Sequence, residues 1–430
     1  MTWANWAGNQ QCAPAAVEHP GSEEELAHVV KRAASEGRTV KAVGAGHSFT
    51  DIACTDGVQL QLDRYGDLVE ADRATGRVTV EAGMTLGRLN DALWDMGLAL
   101  PNLGDIAYQS VAGAISTSTH GTGLKLGGLA TQVVGLRLVT GDGSVLSASA
   151  EEDPDLFAAA RVGLGAVGLL STVTLQTVPQ FNLRAVEEPM RMDTVLRDID
   201  RHAEDNDHFE FYWVPHTGWA LTKRNNRTDD PVGGRSRARE FVDRTLLENV
   251  AFGAVCRVGR WRPSLIPRLS KALPSSGRTE YVNRSYRVFT SPRYVHFYEM
   301  EYSVPRDAVP DALRQLVRWV ESSGLRLNFP VEVRFTAADD IWLSTAHGGE
   351  RGYIAVHVYQ GMPYEQYFRG VEAIMGPLGG RPHWGKLHYQ TAESLAPRYP
   401  AWDRFQAVRG RTDPEGRFAN AYLTRVLGPP

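Results

Sequence analysis

Cysteine is scarce: the 430-residue chain has three, Cys12, Cys54 and Cys256. Three thiols so scattered build neither a disulfide framework nor a thiolate metal site, and a reducing compartment fits best. Long apolar runs are missing too, with no stretch near the ~20 residues that cross a bilayer. The opening Met-Thr-Trp-Ala-Asn-Trp lacks the charged start and apolar run of a secretion signal. The expected location is the cytoplasm. Excess charge of one sign is absent as well. A formal net charge of −4 leaves no electrostatic footprint for nucleic acid, and no basic amphipathic helix argues for a membrane surface. Two common phosphate-binding signatures are also missing. Gly44-Ala45-Gly46 runs into His47-Ser48-Phe49, without the third glycine of a dinucleotide fingerprint, and no Gly-Lys-Ser/Thr loop occurs.

What is present describes a globular protein. Hydrophobic content of 43% and charged content of 22% are ordinary, and the length exceeds one core. Ser22 and Glu25 form a capping box ahead of the helical stripe Leu26, Val29, Val30, Ala33. Thr39–Val43, Gly57–Leu62, Leu68–Asp72 and Arg77–Ala82 read as strands, Thr85–Gly97 as a helix. Val133–Thr140 and Ser144–Ser147 read as a hairpin, Gly163–Val178 as a Gly-rich entry to a strand. After Pro179 aromatic residues and arginine become common. His208–Val214, Val295–Val304 and Tyr353–Gln360 alternate as in an antiparallel sheet, whereas Arg224–Glu240 reads as a mobile surface loop. The expectation is an α+β fold divided at 1–178, 179–378 and 379–430.

Two stretches offer a thin backbone. Val-Gly-Ala-Gly-His-Ser-Phe-Thr (43–50) presents His47 on a glycine-cleared loop that a large flat group can approach. On these eight residues alone a packed turn histidine fits equally well. Residues 100–123 are rich in Ser, Thr, Gly and Ala, poor for a helix and unexceptional as a strand. They offer the N–H groups and hydroxyls that a pyrophosphate needs. A plain polar loop is the other reading.

In this order, Gly-Ala-Gly-His-Ser-Phe, Ser-Val-Ala-Gly-Ala-Ile-Ser-Thr-Ser-Thr-His-Gly-Thr-Gly and Pro-His-Trp-Gly-Lys resemble the aldonolactone oxidoreductases of the vanillyl-alcohol oxidase flavoprotein superfamily. Asp51–Gly57 and Arg381–Ala392 are similar to actinobacterial gulonolactone dehydrogenases, and alditol oxidases are more distant. The resemblance implies a two-domain flavoprotein: an FAD-binding α+β domain, a substrate domain with an antiparallel sheet, and a C-terminal segment returning to the first. It implies FAD joined covalently to His47, with Val43, Gly44, Ala45, Gly46 and Ser48 in the first cofactor loop. Ser110, Gly113, Thr117, Ser118, Thr119 and His120 fall in the second loop, and Leu170 meets the adenine end. It further implies oxidation of a sugar-1,4-lactone or, alternatively, a polyol, with oxygen, a redox protein or a quinone as acceptor.

Alternation places Glu332 and Arg334 on one face of Val331–Phe335, where a plain ion pair is the bland reading, and His357 on the polar face of Tyr353–Gln360. Lys386 follows Trp384 and Gly385. The resemblance gives these four positions a reacting role. Arg334 and Lys386 would steady negative charge, Glu332 would hold Arg334 and bind hydroxyls, and His357 would take the proton. It also implies that Gly104 leaves a passage for oxygen, where alanine would close it. Asp105, a serine in alditol oxidases, and Tyr359, a smaller polar residue there, would favour a ring-shaped lactone.

Overall fold

A computed structural model describes residues 2–234, 251–273 and 275–429. Two apolar clusters organise it. The first draws on Leu26–Leu175 and again on Trp384–Leu427; the second joins the largest sheet to the helices Val309–Ser323 and Glu365–Met375.

Strand Val40–Val43 pairs in parallel with Val58–Gln61, which also pairs with Ala16–Glu18. This small sheet delivers the loop bearing His47. The helix Glu23–Ser35 packs Leu26 and Val30 into the first cluster. Its Ser22 cap accepts from Glu25 N–H, but Glu25 reaches back to Gly21 N–H, so the box is displaced by one residue. A five-stranded antiparallel sheet follows, in the order Val145–Ser149, Val133–Val139, Leu169–Gln176, Arg77–Glu81, Leu68–Asp72. The C-terminal chain returns to the small parallel sheet and the turn after it: Val40 N–H donates to Arg417 carbonyl, and Asn420 Nδ2 reaches the carbonyls of Asp51, Ile52 and Cys54.

The eight-stranded sheet runs Thr279–Arg284, Asn182–Arg191, Trp219–Thr228, His208–Trp213, Val331–Thr336, Arg351–Tyr359, Phe297–Pro305, Arg381–Pro382, and every pair is antiparallel. One face of its centre, including Val331, Val333, Ile354, Val356 and Met300, lies in the second cluster. The period-two geometry of a strand then turns Tyr212, Glu332, Arg334, His357, Glu299 and Glu301 to the opposite face. The fold thus pays for a polar face with an apolar one behind it.

Three expectations change. Arg224–Thr228 is strand, because both sides of this polar segment find partners, Arg224 with Glu188 among them; residues 235–240 lie outside the described part. Within 100–123, Val111–Ser116 is a helix: Ser110 caps it, and burial of Val111, Ala114 and Ile115 outweighs weak propensity. Cys12, Cys54 and Cys256 are free thiols. Burial, and then Cys12, pushes Cys54 up to about 12. A basic amphipathic helix also exists: Phe252–Trp261 exposes Arg257, Arg260 and Trp261 while burying Gly253, Cys256 and Gly259. No helix among the described residues is long and apolar enough to cross a membrane.

Candidate active site

Two adjoining clefts share Gln109. The first spans about 950 Å3, counting space open to solvent, and is lined by Val43–Ser48, Ser110, Gly113, Thr117 and Leu170, all expected at a cofactor. Its walls are cut back to backbone. A Cβ on Gly44 would stand 2.1 Å from Ser110 Oγ, and Gly46 holds φ +68°. Among the described residues, no protein acceptor meets the N–H groups of Ala45, Gly46, His47 or Ser48. Successive free N–H groups on a side-chain-free wall suit a pyrophosphate, so this cleft fits FAD. Ser118 does not join it. Held at φ +64°, it bonds Thr345 Oγ1 at 3.2 Å, while Thr119 and His120 line the neighbouring cleft.

His47 lines the first cleft. Its ring centroid is 5.3 Å from that of Trp6, whose backbone N–H donates to Gly46 carbonyl at 2.9 Å. Burial, reinforced by the positive charge of Lys386, pushes the imidazole down to about 4. The ring is therefore neutral near pH 7, with a nitrogen lone pair available.

The second cleft, about 920 Å3, opens on the polar face of the large sheet. Glu332 pairs with Arg334, whose Nε also donates to Glu210 at 3.0 Å; Tyr212 OH donates to Glu332 at 2.6 Å. Burial opposes charge on Arg334, but Glu332, Asp105 and Glu210 together hold its pKa well above the ordinary value. Across the next strand pair, Glu299 stands opposite His357. Glu299 takes Lys386 as ion partner and faces His357 Nε2 at 3.5 Å, while His357 Nδ1–H donates to Pro330 carbonyl at 3.1 Å. Burial would lower His357, but Glu299 and then Glu332 outweigh it and raise its pKa. Lys386 is raised in the same way, burial being overcome by Glu299 and Glu301.

Lys386 is fixed from behind. Trp384 is fully buried, stacks on Tyr399 and donates to Leu343 carbonyl at 2.7 Å. Gly385 carbonyl accepts Phe49 N–H at 2.7 Å, tying the lysine loop to the His47 loop. Gly104 and Asp105 also line this cleft, and Asp105 Oδ2 accepts from Arg293 at 2.6 Å. Tyr359 does not line it; its ring lies 5.5 Å from the Arg260 guanidinium.

Sequence reasoning missed Glu299, Glu301, Tyr212, Glu210, Arg293 and His383. The signal for Glu299 and Glu301 was the alternation in Phe297–Ser303, the same pattern that exposed Glu332 and Arg334. His120, Glu301 and His383 bring ligand-type atoms within 4.8 Å of one another. His383 is nevertheless a poor metal ligand. Its Nδ1 accepts Gly385 N–H at 3.0 Å, leaving Nε2 to carry the proton. His120 stacks on Tyr353 at 3.6 Å and contacts Glu301 and Gly121 carbonyl, which makes it a loop support.

Residues 173–426 match the family model described as D-arabinono-1,4-lactone oxidase, and residues 14–149 match FAD binding domain. The chain belongs to the D-arabinono-1,4-lactone oxidase family. It is 47% identical to L-gulono-1,4-lactone dehydrogenase of Mycobacterium tuberculosis over 99% of both chains. It is 36% identical to L-gulonolactone oxidase of Bos taurus over 99% of this chain and 98% of that one. Among solved structures, a histidine-to-alanine variant of cholesterol oxidase from Brevibacterium sterolicum matches with TM-score 0.82 at 16% identity, covering 99% of this chain and 96% of that one. The α+β flavoprotein fold expected from sequence is the fold found. Family membership makes the chain an FAD-dependent oxidoreductase.

Proposed function

We propose that the protein oxidises the carbinol next to the carbonyl of a sugar-1,4-lactone, L-gulono-1,4-lactone or a close analogue, with FAD tethered through His47. FAD, when bound, supplies the acceptor for the hydride that leaves the carbinol carbon. The observation that carries the reading is a cleft wall bearing Arg334, Lys386 and His357 beside the nucleotide cleft. Arg334 presents a planar fork to a substrate oxygen, and Glu332 fixes that fork. His357 takes the hydroxyl proton at Nε2, because Nδ1 is committed to Pro330. Lys386 and Arg334 steady the negative charge as the proton leaves. The neutral imidazole of His47 supports the tether, since only an unprotonated nitrogen can bond to the flavin 8α-methyl carbon.

The test is anaerobic bleaching of the flavin. L-Gulono-1,4-lactone should bleach it, and xylitol should do so far more slowly. Arg334→Ala and Lys386→Ala should each slow reduction by roughly a hundredfold or more. Near-normal reduction in both would remove the cationic clamp, and faster bleaching by xylitol would make the enzyme a polyol oxidase.

A further inference from the structure

The second cleft is crowded with charge, yet its formal charges nearly cancel. Its wall holds four carboxylates, Asp105, Glu299, Glu301 and Glu332. Against them stand three permanent cations, Arg293, Arg334 and Lys386. The formal sum is −1 with His357 neutral and zero with it protonated. Lys386 is matched to Glu299, and Arg334 to Glu332 and Glu210. Asp105 is placed differently. It comes from the loop before the Ser110 helix rather than from the sheet, and it lies between two guanidinium groups. Its Oδ2 accepts from Arg293 Nη2 at 2.6 Å and stands 3.6 Å from Arg334 Nη2. Burial disfavours its charge, but Arg334, Arg293 and Lys386 together hold its pKa well below the usual carboxylate range. It is a carboxylate set between two guanidinium groups at the cleft wall.

This matters because a sugar lactone has a close competitor of its own making. Water cleaves the acyl–oxygen bond of the ring ester to give the aldonate and a proton; the aldonate keeps the lactone's hydroxyls, gains one from the former ring oxygen, and carries a carboxylate instead of the ring carbonyl. Hydroxyl recognition alone separates the two poorly. Without Asp105, Arg293 would lose its carboxylate partner, and its fork beside that of Arg334 would suit a carboxylate bidentately. Discrimination against a competitor is commonly built by placing a like charge where the wrong ligand would sit.

We propose that Asp105 is a charge filter, admitting the closed neutral lactone and refusing the ring-opened aldonate anion. The inference rests on the lactone reading above and deepens it. Asp105 acts as a specificity determinant here, through the two arginines that it neutralises.

The experiment measures dissociation constants for L-gulono-1,4-lactone and for the sodium salt of its aldonate. They are read from perturbation of the flavin spectrum, by direct titration for the aldonate and by initial anaerobic reduction for the lactone. The quantity compared is the aldonate-to-lactone affinity ratio, which general damage to the cleft does not shift in a set direction. Asp105→Asn should raise the ratio about tenfold or more, equivalent to 1.4 kcal/mol. Asp105→Glu should restore exclusion. Arg293→Gln makes the cleft more anionic and should lower the ratio below wild type, so the proposal stays testable should Asp105→Asn lose its flavin. An aldonate that binds the wild type as tightly as the lactone overturns the filter, as does a ratio unchanged in Asp105→Asn or raised in Arg293→Gln. If the lactone fails to bleach the wild-type flavin, the parent reading falls instead, and the two failures stay distinct.

Discussion

Gly44 offers the sharpest test of the cofactor cleft, because space alone forbids a side chain there. Its φ is not in the left-handed region, unlike that of Gly46, so Gly44→Ala brings no backbone strain. The added Cβ would instead meet Ser110 Oγ at 2.1 Å and Ser110 Cβ at 3.1 Å. Ser110 cannot rotate away freely, since its Oγ accepts Gly113 N–H at 3.2 Å and caps the helix Val111–Ser116. Loss of such a cap costs about 1 kcal/mol, and forcing one extra carbon into a packed wall costs roughly 1–3 kcal/mol. The single substitution should therefore cost about 2–4 kcal/mol locally. That cost falls on the cleft, so flavin occupancy should drop together with the melting midpoint. The rescue is Ser110→Gly in the same chain. It removes both obstructing atoms, and glycine is worse than serine at an N-cap by only a few tenths of a kcal/mol. The assay is flavin absorbance per protein and thermal melting for wild type, Gly44→Ala, Ser110→Gly and the pair. Full flavin in Gly44→Ala would refute the close-approach argument. A pair no better than Gly44→Ala would show that Ser110 is not the obstacle.

Three further outcomes follow from the same geometry. Glu299→Gln removes the carboxylate that raises His357, so the imidazole should lose its proton at lower pH. A base must be unprotonated, so reduction rates that climb with pH in the wild type should begin to climb at lower pH in the variant. An unmoved profile, or one moved to higher pH, would take the proton-accepting role from His357. His47→Ala should release yellow flavin into the supernatant on acid precipitation, whereas wild-type colour should stay in the pellet; wild-type colour washing free would remove the covalent bond but not the cofactor. At Gly104 a Cβ would stand 3.2 Å from His120 carbonyl and 3.4 Å from Thr119 Cγ2, tight enough to fit with small adjustments. Gly104→Ala should thus fold, slow reoxidation by oxygen and spare reduction by substrate, and equal oxygen rates in both proteins would dismiss the passage.

How much of this was legible depended on whether a feature is local. The strand Val331–Thr336 announces its two faces within six residues, so Glu332 and Arg334 could be read directly. The first cofactor loop is equally local, because Gly44 and Gly46 clear the wall around a histidine between two recognisable elements. The strand Phe297–Pro305 alternates just as plainly, but nothing in the chain says that Glu299 will lie across from His357; that is a matter of sheet register. Asp105 and Arg293 are 188 positions apart, and only the folded chain makes them partners. Polar strands such as Trp219–Thr228 defeat periodicity outright, since both faces carry polar groups whose partners lie elsewhere. The same distinction explains why the role of Lys386 needed the structure. Its reach into the cleft follows from Trp384 anchored behind it and from Gly385 carbonyl accepting Phe49 N–H. That hydrogen bond couples the lysine loop to the histidine loop, so a substitution that disturbs either one should be felt at both clefts.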